Sequence, residues 1–406
     1  MIYLDHAATT PLAPQVREAM LPYLAEWFGN ASSLYALGRK SRLAIENARE
    51  LAAAFFGCQP REIVFTGGGS ESDNLALRGV MHAYRDRGDH LITTLIEHHA
   101  VLHTAQALER DGFRVTYLRP DRFGRIDAEQ VREAITDRTV LISVMYANNE
   151  IGTVQPVAEI GRLARERGIL FHTDAVQAVG YLPTRVRELP CDLLSLSAHK
   201  IYGPKGVGLL YVRQGVRLEP QITGGDQEGG RRSGTENVAG IVGLGAALEL
   251  VYQDLQAGEP ERIRRLRDRL IAGVLARVPE AELTGHPTER LPNHASFRFP
   301  HIEGEPLLLN LDMHGICASS GSACATGAIE PSHVLLAIGY TPAEAHGALR
   351  LTLGRDNTEA EIDRVIEVLP PIVASLVRLR CPPVAEPPAA IPRSDRAESR
   401  TPDPIG

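Results

Sequence analysis

Lysine is nearly missing from this 406-residue chain: of 43 basic residues, only Lys40, Lys200 and Lys205 are lysine. Arginine stays protonated and does not form imines under ordinary conditions, so any Schiff-base chemistry has three candidate amines. Cysteine is scarce as well. Five cysteines, with no Cys-x-x-Cys pair, exclude a disulfide framework and fit a reduced, cytoplasmic protein. Apolar runs such as residues 239–248 fall well short of the roughly 20 residues that cross a bilayer. The first residues lack the basic and apolar stretches of a signal peptide, so no membrane partner is expected. Positive charge is not in excess either. The 43 basic and 50 acidic side chains leave a net charge of −7, which argues against direct nucleic-acid binding. What remains is ordinary for a globular protein, 44% hydrophobic and 23% charged.

Apolar segments at 63–66, 90–95, 114–118, 140–146, 169–174, 192–197 and 208–212 read as strands. Between them run helical patterns; Leu77, Val80, Met81 and Tyr84 stand at i, i+3, i+4 and i+7. Such alternation predicts an α/β fold, a mostly parallel sheet flanked by helices with ligands at the carboxyl ends of its strands. Past residue 258 a charged helix leads into shorter strand-like pieces at 295–299, 316–319 and 349–352, expected to form a smaller α+β domain. The expected division is 15–257 for the large domain and 1–14 with 258–380 for the small one. Residues 381–406 hold seven prolines and few large apolar side chains, the composition of a disordered tail.

Thr66-Gly-Gly-Gly-Ser70 follows a strand and opens a helix, which suits one phosphate or a tight structural turn. Asp174 ends one apolar strand and Lys200 follows another, so both should emerge at one rim of the sheet. There a carboxylate can keep a pyridine nitrogen protonated beside a lysine imine, although an ordinary ion pair reads the same way. His99 and His103 have the i, i+4 spacing of metal ligands, but no further ligand cluster is nearby. A neutral imidazole lying on a cofactor ring suits this strand-end position better. Cys58, Cys191 and Cys317 read as small buried hydrophobes. Cys324 instead stands among serines and glycines in a small-residue loop (319–330), where a thiol is exposed, reactive and mobile.

In one order the chain carries Tyr3-Leu-Asp-His-Ala-Ala-Thr-Thr-Pro11, Glu71-Ser-Asp-Asn74, Asn148-Asn-Glu-Ile-Gly152, Ser197-Ala-His-Lys-Ile-Tyr-Gly-Pro-Lys-Gly206, Arg232-Ser-Gly-Thr-Glu-Asn237 and Ser319-Ser-Gly-Ser-Ala-Cys324. Together these resemble the cysteine desulfurases of the IscS/NifS type, pyridoxal 5'-phosphate enzymes of fold type I in the class V aminotransferase group. The resemblance runs to about residue 375. It implies that Lys200 bonds the cofactor, Asp174 pairs with its ring nitrogen, Gln177 with its ring hydroxyl, and His98 stacks on the ring. It assigns the phosphate to Gly69, Ser70, Ser197 and His199, with Thr235 supplied by the second subunit of a homodimer. Asn149 and Arg350 would bind the carboxylate of L-cysteine, and Cys324 would accept its sulfur. The sulfur would pass to an acceptor protein, an iron–sulfur scaffold or a sulfur carrier. No resident metal is implied; an iron–sulfur cluster would meet Cys324 only as cargo. Ala31, Tyr35 and Asp226 depart from the usual proline, histidine and glycine of the pattern. A catalytically idle carrier, or another class V reaction such as selenocysteine cleavage, stands as an alternative.

Overall fold

The computed structural model describes residues 1–321 and 331–380. All seven expected strands form one sheet, in the order Ile63–Thr66, Gly208–Val212, Leu193–Ser197, Leu170–Asp174, Thr139–Ser143, His90–Thr94 and Arg114–Leu118. Gly208–Val212 runs antiparallel to both its neighbours; every other pairing is parallel. Six of the strands are buried along their whole length with helices on both faces, which explains their largely apolar runs. The strand expected at 140–146 stops at Ser143; beyond it Met145 turns its N–H to the Glu97 carboxylate.

Helix Val238–Gln256 has the length and apolarity of a membrane span, but 56% of its window is buried inside the protein. It packs against helices Pro14–Ala25 and Ala36–Phe56, with Ile241, Leu244, Ala247 and Leu248 in the core. It is a core helix by that measure. Glycines make the fit possible: a Cβ on Gly245 would come 3.0 Å from that of Ala48.

Helices Glu259–Arg277 and Glu359–Arg380 cover a separate antiparallel sheet, ordered Ala348–Thr352, His294–Arg298, Glu282–Leu283. Leu4 from the N-terminal segment is fully buried in this second core. Cys191 is buried as expected, whereas Cys58 and Cys317 are only half-buried. Cys58 sits just past a helix end, where a glycine in the left-handed region turns the chain outward. The expected tail at 381–406 and Cys324 lie outside the described residues.

Candidate active site

Asp174 ends strand Leu170–Asp174 directly opposite Ser195 of the neighbouring parallel strand. That strand ends at Ser197, and a 3₁₀ turn, Ala198–Lys200, follows it. The two chain ends thus open into one cleft of about 380 Å³, lined from this rim by Asp174, Gln177, Ser197, His199 and Lys200. Gly69 and Ser70 enter from the start of helix Gly69–Ala83, His98 and Asn149 from the loops after two other strands, and Arg350 from the smaller sheet. Thr235 is exposed and does not line the cleft, and Cys324 lies outside the described residues.

The Lys200 amine donates to the carbonyl oxygens of Ala7 and Ala8 at 2.6 and 2.7 Å. Burial and the nearby Arg350 charge bring it down to about 8, so a free amine is accessible near neutrality. Burial acts in the opposite sense on Asp174, which rises to about 6 although the Val176 N–H donates to its Oδ1 at 2.9 Å. Burial thus favours the neutral amine that forms an imine, while Asp174 keeps its charge only above about 6. His98 begins helix His99–Arg110, and its Nδ1 accepts from the Ala100 N–H at 3.1 Å. Burial first, and then the Lys200 charge, hold the ring neutral.

The glycines of the 67–69 turn answer to space. A Cβ on Gly69 would meet Val176 Cγ2 at 2.9 Å, and one on Gly208, in the strand beneath, would meet the Gly68 main chain at 2.7 Å. Gly68, at φ 152°, precedes a helix with no side-chain cap, which leaves its first N–H groups available to an anion. Arg350 is buried and its fork is partly held: Nη1 donates to Asn149 O and Nη2 to Asp5 Oδ1, both at 2.8 Å, while Nε has no partner among the described residues.

A model of the class-V aminotransferases matches residues 2–365. The chain belongs to that family. It is 54% identical over 374 residues to the cysteine desulfurase IscS of Clostridium botulinum, covering 92% of this chain and 94% of that protein. A NifS-like protein of known structure superposes with a TM-score of 0.86 at 38% identity, covering 92% of this chain and all of that one. The structure of SspA in complex with cysteine gives 0.78 at 40% identity over 88% of this chain and 100% of that one.

The family's cofactor is pyridoxal 5'-phosphate, and the residues of this class-V chain fit it. A lysine held only by carbonyls, a buried carboxylate, a neutral imidazole and a turn without room for side chains converge on the one cleft. Asp5, Asp73, Glu150 and His333 were not expected here. Three of them stand in the quoted motifs, but no residue pattern assigned them a role, and His333 carried no signal at all. Its ring centre lies 4.6 Å from that of His99, tilted by 35°, and His99 stacks on His103 at 4.9 Å. Among the described residues no group of three such side chains is placed to hold a metal.

Proposed function

We propose that this cleft removes sulfur from L-cysteine, releases L-alanine and leaves the sulfur on Cys324. The observation that carries it is the convergence of the Lys200 amine and the Asp174 carboxyl on one cleft, the amine drawn by burial toward its neutral, reactive form. The cofactor, when bound, supplies an electron sink for bond breaking at the substrate α-carbon. Lys200 would hold it, with Asp174 at the ring nitrogen, Gln177 at the ring hydroxyl and His98 across the ring face. Gly69, Ser70, Ser197 and His199 would take its phosphate.

Arg350 and Asn149 orient the substrate carboxylate, which places the α-hydrogen within reach of the Lys200 amine. Lys200, with its amine free, accepts that proton and later returns it. The Cys324 thiolate attacks the substrate sulfur, so the S–C bond breaks and a persulfide forms on the enzyme. A sulfur-acceptor protein then takes the terminal sulfur; iron–sulfur assembly is the favoured destination.

Thr235 would serve the phosphate of a second copy in a homodimer, a reading supported by its exposure and by the exposed Leu24, Phe28 and Leu34. A reduced, cytoplasmic setting suits a working thiol. Separate hydrophobic cores support a large domain at 15–257 and a small one from 1–14 and 258–380.

Purified protein given L-cysteine should form alanine and carry one extra sulfur on the Cys324 peptide, read by mass spectrometry. Cys324→Ser should bind the cofactor and cysteine yet lose alanine formation. Undiminished alanine from that variant overturns the reading.

A further inference from the structure

Residues 3–10 form a strap that no assigned role explains, and it is fastened at both ends. Leu4 is buried in the second core, and the Ala7 N–H donates to Thr352 Oγ1 at 2.9 Å. Further on, the Thr10 N–H donates to His199 O at 2.8 Å, while Thr10 Oγ1 accepts from the Tyr202 N–H at 2.7 Å. The Tyr3 hydroxyl ties the strap to itself, donating to Thr9 O at 2.8 Å.

Between these anchors the strap meets the two working cations of the cleft. The Asp5 carboxylate accepts from Arg350 Nη2 at 2.8 Å, and two residues later the Ala7 carbonyl accepts from Lys200 Nζ at 2.6 Å. Arg350 carries five N–H donors. Asn149 O and Gly321 O take those of Nη1, at 2.8 and 3.5 Å, and Asp5 takes one of Nη2. Among the described residues Nε has no partner, in a side chain that is only 5% exposed. Without Asp5 the guanidinium would keep only its Nη1 contacts, and Asp174 alone would offset its charge at Lys200.

We propose that Asp5 is a positioning residue, which fixes the Arg350 guanidinium for the substrate carboxylate and offsets its charge at Lys200. This rests on the reading that Arg350 meets that carboxylate. The charged and titratable groups around the amine are Arg350, Asp5, Asp174, His98 and His199. His98 and His199 are held neutral by burial, so the balance lies between one cation and two carboxylates. Arg350 disfavours the protonated amine; Asp5 and Asp174 favour it.

The test uses cofactor-loaded Asp5→Asn and Asp5→Glu, with Arg350→Ala as the reference for the reading itself. Three quantities are read: KM and kcat for L-cysteine, and the pH midpoint of the cofactor's visible absorbance. Asp5→Asn should raise KM about tenfold, the scale of a lost charged hydrogen bond, with a much smaller change in kcat. Its pH midpoint should move down, because an anion that stabilised positive charge at Lys200 has gone. Asp5→Glu keeps the charge but misplaces it, so KM should rise while the midpoint stays. This second variant carries the same test if the first does not fold. A wild-type KM in both variants, or a midpoint that moves equally in both, overturns the proposal. Should Arg350→Ala itself leave KM unchanged, the assignment of Arg350 fails instead, and Asp5 falls with it.

Discussion

Asp174 and Ser195 face each other across two parallel strands, and this register brings Lys200 to the Asp174 end of the sheet. A slip of one residue would turn Asp174 to the opposite face. The same burial that holds the register moves the two groups toward each other, the acid up to about 6 and the amine down to about 8.

Cofactor uptake should report both shifts. An imine forms from the neutral amine, so uptake by cofactor-free protein should quicken as pH rises through about 8. Below about 6, Asp174 gains a proton and loses the charge that faces the ring nitrogen, so affinity should fall. Lys200→Arg, always charged, should bind without covalent attachment and lose alanine formation by roughly 10²–10⁴-fold, the range of a missing acid–base group. Stopped-flow absorbance against pH checks this; a flat profile through pH 8 contradicts it.

Gly208→Ala tests the cradle from below. The added Cβ would come within 2.7 Å of Gly68 C and 2.5 Å of Leu196 O, both main-chain atoms that cannot turn aside. Overpacking of this kind costs about 1–3 kcal/mol, and here it should push the 67–69 turn into the cleft. We expect a lower unfolding midpoint together with weaker cofactor binding. Gly206→Ala is the control: no atom lies within 4 Å, but φ is +78°, so stability alone should fall, by about 1 kcal/mol.

Strand and motif were legible where a single local cause acts. Ile63–Thr66 and Gly208–Val212 could be read to the residue because buried strands are apolar runs with turn residues at their ends, and the part-exposed edge strand Arg114–Leu118 from its β-branched and aromatic residues. Asp174 and Lys200 were legible because each adjoins the end of such a run. Asp5 and Arg350 stand 345 positions apart, and no local pattern announces that pair. Asp73 was hidden for another reason: on a helix among polar neighbours it reads as a surface residue, yet it is 1% exposed. Cys58 went the other way, since composition suggests burial but the turn at Gly57 sets how deep it lies.

The turn at Gln227–Gly230 should depend on one ion pair. Glu228 accepts from Arg49 Nη1 and Nη2 at 2.8 Å each, and from the Phe65 N–H at 2.9 Å, with its side chain 4% exposed. Glu228→Gln leaves the Arg49 charge with only the more exposed Glu46, 3.3 Å away, as counter-charge, a loss approaching the roughly 3–5 kcal/mol of a broken buried pair. Asp89→Asn breaks the exposed contact to Arg114 at the same 2.8 Å, and should cost under about 1 kcal/mol. Urea unfolding of the two variants separates burial from distance as the deciding quantity. Equal losses would show that distance governs.

His172 gives a pH test of the cleft floor. Its Nε2 lies 3.6 Å from Asp73 Oδ1, close enough for an ion pair, but burial lowers the imidazole to about 3 and it stays neutral between Ser143 and Ser195. In the unfolded chain the same ring takes a proton near 6.5. Stability from His172 is therefore complete above pH 6.5 and lost as pH falls toward 3. Asp73 acts with the opposite sign: burial raises it, so its stabilising proton is lost as pH rises above its unfolded value of 3.8. The difference between wild type and His172→Asn isolates the histidine. Between pH 6 and 4, urea unfolding should show the wild type losing about 1.4 kcal/mol per pH unit more than the variant. A protonated His172 paired with Asp73 would reverse that order, the variant then losing no less than the wild type.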